Sequence, residues 1–159
     1  MHRAFVALGS NLAEPEAQVN QAFATLARLP LTKLLAQSSL YRSAPVGYAE
    51  QPDFINAVAC IETGLGAHDL LQSLLEIERG SGRIRDFRNA PRTLDLDLLL
   101  FGDLMMHEAG LTLPHPRMQE RAFVLLPLLE IAPDCVIPGK GRAADWLARV
   151  RDQAIVRVA

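Results

Sequence analysis

The chain has 159 residues, half of them hydrophobic and 21% charged, a composition that predicts one folded domain over residues 1–159. Its 16 basic and 18 acidic residues give a formal charge of −2, which argues against a general binder of nucleic acid or membrane surfaces. No apolar run approaches the roughly 18–20 residues of a membrane span, and neither a signal peptide nor a disulfide framework is indicated. We therefore expect a cytoplasmic protein that binds neither membranes nor nucleic acid.

The first half of the chain alternates strand-like and helix-like segments. An apolar run over 4–8 predicts a central strand that is covered on both faces. Apolar residues at helical spacing then predict an amphipathic helix over about 14–29. Alternation predicts a strand over 34–42, and a third strand is expected at about 54–63. The irregular stretch 43–52 between them is a long connection, of the kind that is often functional.

The second half continues with a helix over about 67–79, an arginine-rich loop and a strand over 94–101. The order β-α-β-β-α-β is that of ferredoxin-like α+β folds. Additional C-terminal elements should follow this core. They include short segments around 111–113 and a helix near 122–132, which Pro127 is expected to kink or to open in its second half.

The strongest chemical signal lies in the strand over 94–101. Strand side chains alternate, so Asp95 and Asp97 should point to one face, with their leucine neighbours on the other. Two carboxylates side by side at the start of a buried strand repel each other, and a cation can neutralise them. Mg²⁺ suits such a pair because it takes few protein oxygens and completes its shell with water or phosphate. The alternative is an edge strand with a solvated acidic face.

A cluster of arginines leads directly into this acidic pair. Guanidinium forks match phosphate oxygens, so arginines and carboxylates together supply both halves of a polyphosphate–metal site. The alternative is a solvated basic loop that forms ion pairs with the two aspartates. No Gly-rich nucleotide-binding fingerprint accompanies the cluster. Its members are Arg79, Arg83, Arg85, Arg88 and Arg92.

Other residues form weaker signals. Phe54 and Asn56 share a strand face and, with Phe123, could stack on and hydrogen-bond a flat heterocycle, although each residue could equally serve the core or a turn. Glu78 continues the buried stripe of its helix and either reaches the arginine loop or simply ends the helix. His115, in a stiff Pro-His-Pro segment close to Arg121, is either structural or a contact for phosphate.

These motifs together resemble the 6-hydroxymethyl-7,8-dihydropterin pyrophosphokinase family, which moves pyrophosphate from ATP to a pterin alcohol in the folate pathway. The resemblance spans nearly the whole chain, and the run Pro-Arg-Thr-Leu-Asp-Leu-Asp is its most specific part. It also implies the ferredoxin-like α+β fold. The segments that carry it are Gly9-Ser10-Asn11-Leu12, Ser39-Leu40-Tyr41-Arg42, Gln51-Pro52-Asp53-Phe54-Ile55-Asn56, Gly82-Arg83-Ile84-Arg85, residues 91–97, Leu113-Pro114-His115-Pro116 and Arg121-Ala122-Phe123.

The resemblance implies a role for each matching position. Asp95 and Asp97 would hold two Mg²⁺ ions, and Arg83 and Arg92 would contact the transferred phosphates. ATP and the pterin would be the only partners of a monomeric enzyme. The positions that match ATP-binding residues are Glu78, Arg85, Arg88, Leu98, Thr112, His115 and Arg121. The positions that match the pterin pocket are Ser43, Val46, Phe54, Asn56 and Phe123.

Two other classes of protein compete with this interpretation. A metal-dependent nuclease or phosphohydrolase also uses paired aspartates with arginines, and it would form product without a pterin. A non-enzymatic ferredoxin-like module could use the arginines to bind RNA, although the net charge of −2 weighs against it. The substitution Asp95→Asn separates enzyme from module because it should abolish turnover and barely weaken phosphate binding. Asn89, Gly110 and Pro116 depart from residues found in some family members.

Overall fold

The computed structural model describes residues 1–12, 14–44, 51–80 and 94–158. No helix among these residues is both long and apolar enough to cross a membrane. Short 3-10 helices lie at Met118–Glu120 and Ala143–Arg149. The other elements, in chain order, are β1 (His2–Ser10), α1 (Pro15–Ala27), β2 (Thr32–Gln37), β3 (Leu40–Ser43), β4 (Phe54–Thr63), α2 (Ala67–Gly80), β5 (Asp95–Phe101), β6 (Met106–Glu108), β7 (Leu111–Leu113), α3 (Ala122–Ile131), β8 (Val136–Ile137), β9 (Gly141–Arg142) and β10 (Ile155–Val158).

The main sheet is antiparallel and runs in the order β10-β3-β4-β1-β5, with β2 paired to the far end of β4. The predicted ferredoxin-like βαββαβ core is confirmed. In the pairing of β1 with its two neighbours, Gly9 of β1 lies opposite both Asn56 of β4 and Asp95 of β5. This register brings the ends of three strands to one place, and the functional side chains project from there.

Helices cover both faces of the sheet. On one face, α1 and α2 pack against β1, β4 and β5 through an aliphatic core that includes Leu8, Leu26 and Leu70. On the other face, α3 and the C-terminal 3-10 helix pack over Phe5 and Val58. The expectation that β1 is a central strand covered on both faces is therefore confirmed.

A β-bulge interrupts the pairing of β1 with β5. Phe5 pairs with Leu100, whereas the next residue, Val6, pairs with Leu98. The extra residue, Leu99, faces the α3 side together with Leu100. The bulge therefore separates the acidic half of β5 from its apolar half.

The single strand predicted over 34–42 is wrong, because the segment forms two strands, β2 and β3, along the same edge of β4. The break falls at Ser38. Its backbone N–H donates to the carbonyl oxygen of Val58 at 2.9 Å, and its hydroxyl accepts a hydrogen bond from the Val58 N–H at 2.9 Å. A side-chain oxygen thus replaces a carbonyl in the ladder, and the edge continues without a regular strand.

Pro127 was expected either to kink the third helix or to open its second half, and the second of these outcomes is wrong. Residues Ala122–Ile131 form one helix with Pro127 inside it, so the second half does not open. Proline removes a single backbone donor, and burial of Leu125, Pro127 and Leu128 against the sheet compensates for its loss. Tertiary packing thus overrides the local penalty.

Candidate active site

A cleft of about 690 Å³ opens at the end of the sheet where β1 ends and β4 and β5 begin. The end of α2, the segment 110–117 and the start of α3 enclose it. Every predicted site residue that the structure describes lines this cleft: Ser43, Phe54, Asn56, Glu78, Asp95, Asp97, Leu98, Thr112, His115, Arg121 and Phe123. Residues that lie far apart in the sequence are therefore brought together, as a shared site requires.

The acidic pair has the orientation that alternation predicts. Asp95 and Asp97 lie opposite Gly9 and Ala7 of β1, half-buried, whereas Leu96 between them packs into the core under α1 and α2. Both carboxylates therefore face the cleft on the α3 side of the sheet. Among the described residues, no group of three or more His, Cys, Asp or Glu side chains is placed to hold a metal ion. Two carboxylates alone are a donor set that fits Mg²⁺, which takes its remaining ligands from water and phosphate.

Arg121 supplies positive charge opposite this pair. Burial lowers the pKa of its guanidinium, and the negative charges of Asp97 and Asp95 oppose that effect. The side chain remains a cation at any physiological pH. Its guanidinium carbon lies 5.4 Å from the ring centroid of Phe123, within the range of a cation–π contact.

Glu78 has a structural contact that its position in the sequence does not reveal. The side chain is 3% exposed, and its Oε2 accepts a hydrogen bond of 2.7 Å from the backbone N–H of Leu96. Leu96 lies between the two aspartates on β5, which is the last strand of the main sheet among the described residues. A buried carboxylate from α2 thus holds the acidic half of β5 in place.

The part of the cleft next to β4 suits a flat ligand. Phe54 and Asn56 lie on one face of β4, and the Asn56 amide donates a hydrogen bond of 2.7 Å to the hydroxyl of Ser43. A Cβ atom added to Gly9 would lie 3.4 Å from the Asn56 Oδ1 and 3.9 Å from the Phe54 ring. Glycine therefore leaves the space next to these two side chains open. Phe123, at the start of α3, is the second aromatic ring of the cleft.

His115 lies half-buried at the rim. Burial is the main cause that lowers its pKa to about 4, and the positive charges of Arg121 and Arg117 add to the effect against the opposing charge of Asp95. The imidazole is therefore neutral at pH 7. Its Nδ1 accepts a hydrogen bond of 3.2 Å from the Arg117 backbone N–H, which assigns the ring proton to Nε2. A neutral N–H donor is thus available at that nitrogen.

Leu98 lines the cleft, but its side chain packs in the core. It therefore offers a ligand chiefly its backbone. The remaining predicted site residues lie outside the described residues: Val46, Arg83, Arg85, Arg88 and Arg92.

Sequence reasoning missed two features of the site. Arg117 lines the cleft, and only its proximity to His115 in the sequence hinted at this. Asn11 is buried, and its amide donates to the Gln51 Oε1 at 2.6 Å and to the Pro52 carbonyl at 3.0 Å. These contacts tie the turn after β1 to the segment before β4. Nothing in the sequence indicates that two motifs forty positions apart touch.

Comparison with known proteins gives a consistent result. The model of the family 7,8-dihydro-6-hydroxymethylpterin-pyrophosphokinase (HPPK) matches residues 5–133. The 2-amino-4-hydroxy-6-hydroxymethyldihydropteridine pyrophosphokinase of Pseudomonas aeruginosa is 48% identical over 99% of this chain and 98% of its own length. The enzyme of the same name from Haemophilus influenzae is 42% identical, with 99% of each chain covered.

Solved structures support the fold at much lower identity. The crystal structure of wild-type Plasmodium falciparum HPPK-DHPS with SDX-DHP superimposes with a TM-score of 0.70 at 13% identity over 96% of this chain. An HPPK-DHPS in complex with substrates gives a TM-score of 0.71 over 92% of this chain. This chain spans 45% and 43% of those two chains, respectively, so it matches only part of each.

Proposed function

This chain belongs to the HPPK family and transfers pyrophosphate to a hydroxymethyldihydropterin in folate biosynthesis, and on that premise we propose that the cleft takes the pyrophosphate from ATP with the help of Mg²⁺. The transfer produces AMP and the pterin diphosphate. The observation that carries this proposal is the shared cleft, in which a carboxylate pair on β5 and a phenylalanine–asparagine pair on β4 project from the same face of the sheet, on either side of β1.

The pterin binds against the wall formed by β3, β4 and the start of α3. Phe54 and Phe123 stack on the two sides of the bicyclic ring, and Asn56 forms hydrogen bonds with its edge. The hydrogen bond from Asn56 to Ser43 supports this role because it fixes the amide orientation before the ligand arrives. Val46 completes the pocket in this proposal.

ATP binds along the other side of the cleft, next to α2 and the segment 110–117. Arg121 and the Nε2–H of His115 offer charge and a donor to the phosphates, and the backbone of Leu98 contacts the base. Glu78, Thr112, Arg85 and Arg88 complete the nucleotide site by family position. Arg117, exposed at the rim, adds a further cation.

Asp95 and Asp97 would hold Mg²⁺, with two ions expected from the family. When bound, the metal neutralises charge on the phosphate oxygens and orients them. Arg83 and Arg92 contact the transferred phosphates and the departing AMP. The low exposure of this end of β5 supports the proposal, because charges interact more strongly where water is excluded.

The reaction is an in-line displacement at the β-phosphorus of ATP. The hydroxymethyl oxygen of the pterin forms the new bond to phosphorus as the bond to the AMP oxygen breaks. Asp95 accepts the hydroxyl proton. The remaining contribution of the protein is positioning and charge stabilisation, which suits a cleft whose described residues include arginines and carboxylates.

We place the enzyme in the cytoplasm as a monomer. The two cysteines are free thiols, and Cys60 is buried, as is usual in a reducing compartment.

The test is ³¹P NMR of the purified protein with ATP, Mg²⁺ and 6-hydroxymethyl-7,8-dihydropterin, with one control lacking the pterin and another containing EDTA. AMP and a new diphosphate ester that appear only with pterin and metal are the expected result. ADP as product would contradict transfer of pyrophosphate. Product formation without pterin would favour the hydrolase alternative, and turnover in EDTA would contradict the metal assignment.

A further inference from the structure

The start of α3 is capped from a distant part of the chain. The preceding residue, Arg121, makes no side-chain capping hydrogen bond. Instead, the N–H of Ala122 donates to the Oε1 of Gln153 at 2.9 Å, and the Nε2 of Gln153 donates to the carbonyl oxygen of Glu120 at 2.8 Å. One side chain therefore fixes the backbone on both sides of Arg121.

The segment that carries Gln153 also reaches the opposite wall of the cleft. Two residues further on, Ile155 begins β10 and pairs with Ser43 of β3. The hydroxyl of Ser43 accepts the hydrogen bond from the Asn56 amide. The C-terminal segment therefore links Phe123 on α3 to Asn56 on the sheet. It lies beyond residue 133, where the match to the family model ends.

Phe123 packs partly against the core on the α3 face, and the backbone at the start of α3 sets where its ring projects. It borders the cleft and also a second cavity of about 610 Å³, which Gln153 and Arg121 line as well. The ring therefore has open space next to it in both cavities. Hydrogen bonds of the kind that Gln153 makes satisfy backbone groups that a helix end otherwise leaves without an intrahelical partner.

We propose that Gln153 is a positioning residue for substrate binding: by holding residues 120–122, it orients Phe123 for the pterin and Arg121 for the nucleotide. The inference rests on the proposed roles of Phe123 and Arg121. Gln153 itself touches neither the reacting atoms nor the metal pair. Its loss is expected to weaken binding and to leave the chemical step intact.

The test compares Gln153→Met, which removes both hydrogen bonds at similar volume, with Gln153→Glu, which keeps an acceptor for Ala122. The exposed neighbour Asp152→Asn is the matched control. We expect Gln153→Met to raise KM for both substrates about three- to tenfold, with kcat within about twofold of wild type. The KM values of Gln153→Glu should lie between those of Gln153→Met and wild type. Asp152→Asn should leave both KM and kcat unchanged.

A double-mutant cycle with Phe123→Ala identifies the route of the effect. If Gln153 acts on the pterin through Phe123, then Gln153→Met adds little to KM for the pterin once the ring is gone. Equal effects of Gln153→Met in both backgrounds would overturn the inference, as would a lower melting temperature with unchanged KM. If Phe123→Ala alone leaves KM for the pterin unchanged, the proposed pterin pocket is wrong, and the inference falls with it.

Discussion

The two faces of the sheet differ at the end where the cleft lies. Under α1 and α2, aliphatic and aromatic side chains fill the face as far as Leu8 and Leu96. On the opposite face, α3 covers only the part that contains Phe5 and Val58, and beyond it Asp97 and the other polar side chains of the cleft begin. The comparison shows that the start of α3 determines where packing stops and the site begins. Substitutions on the first face should therefore affect stability, and those on the uncovered end should affect activity.

The largest effect is expected from Asp97→Asn. Loss of one carboxylate removes half of the proposed metal-binding pair, so kcat should fall at least about 10³-fold. The melting temperature should stay within about 3 °C of wild type, because the side chain is half-buried and its removal relieves repulsion by Asp95. Turnover measured as AMP release, together with calorimetry, checks both parts. Asp103→Asn, on the exposed turn after β5, is the matched control, and near-normal turnover of Asp97→Asn would refute the metal assignment.

The converse substitution is Leu26→Ala on α1. Leu26 is fully buried in the core under α1 and α2 and does not line the cleft. Its truncation should lower the free energy of unfolding by about 2–5 kcal/mol and leave kcat per folded molecule unchanged. Urea unfolding and turnover at a temperature where the variant is folded provide the measurement. Leu35→Ala, at a site that is 39% exposed, should change neither quantity by much. A large fall in kcat for Leu26→Ala would show that the two faces are not separable.

Glu78 comes from α2, on the first face, and also lines the cleft. Its substitutions should separate its hydrogen bond to Leu96 from its proposed role in the nucleotide site. Glu78→Ala leaves the N–H of Leu96 without its acceptor and should cost about 1–3 kcal/mol of stability. Glu78→Gln keeps an oxygen at this position and should recover most of that loss. If the charge of the carboxylate also serves the nucleotide, KM for ATP will stay raised in Glu78→Gln. Equal destabilisation by both variants would contradict the proposed hydrogen-bond role.

The last prediction concerns the pH dependence of stability. The pKa of His115 is lowered to about 4 in the fold, below its value of 6.5 in an unfolded chain. The unfolded state therefore binds the proton first as pH falls, so the stabilisation is complete above pH 6.5 and is lost as pH approaches about 4. The slope is at most about 1.4 kcal/mol per pH unit. Urea unfolding between pH 7 and pH 4.5 should show a shallower slope for His115→Gln than for wild type, and parallel curves would contradict the assignment.

The parts of the molecule that could be predicted are those with a local period. The alternation around Asp95 and Asp97 predicted their shared face, and the residues of β4 were predicted with its observed bounds. The cleft itself could be predicted only as a set of residues, through family motifs. Their contacts could not be predicted, because the hydrogen bond from Glu78 to Leu96 depends on how α2 packs against β5.

The elements that were missed depend on distant partners. The break at Ser38 exists because its side chain bonds to Val58, and β10 exists because its residues pair with β3. Three of the four residues of β10 are β-branched, but the strand is short and its exposure follows no two-residue period, so alternation could not have predicted it. Gln153 is a polar residue in a loop, and only the folded structure shows which helix it caps.

The outer side of β5 has a consequence for how molecules of this protein meet. Among the described strands, β5 ends the main sheet, and an open sheet edge is a template on which another chain can add a strand. Here the N–H of Leu96 donates a hydrogen bond to the Glu78 carboxylate, and the carbonyl oxygen of Leu99 accepts one from the N–H of His115. The residues that border the cleft thus also keep this edge from pairing with a neighbour. Variants that remove the Glu78 carboxylate, such as Glu78→Ala, are therefore expected to aggregate more readily at high concentration than their loss of stability alone would predict.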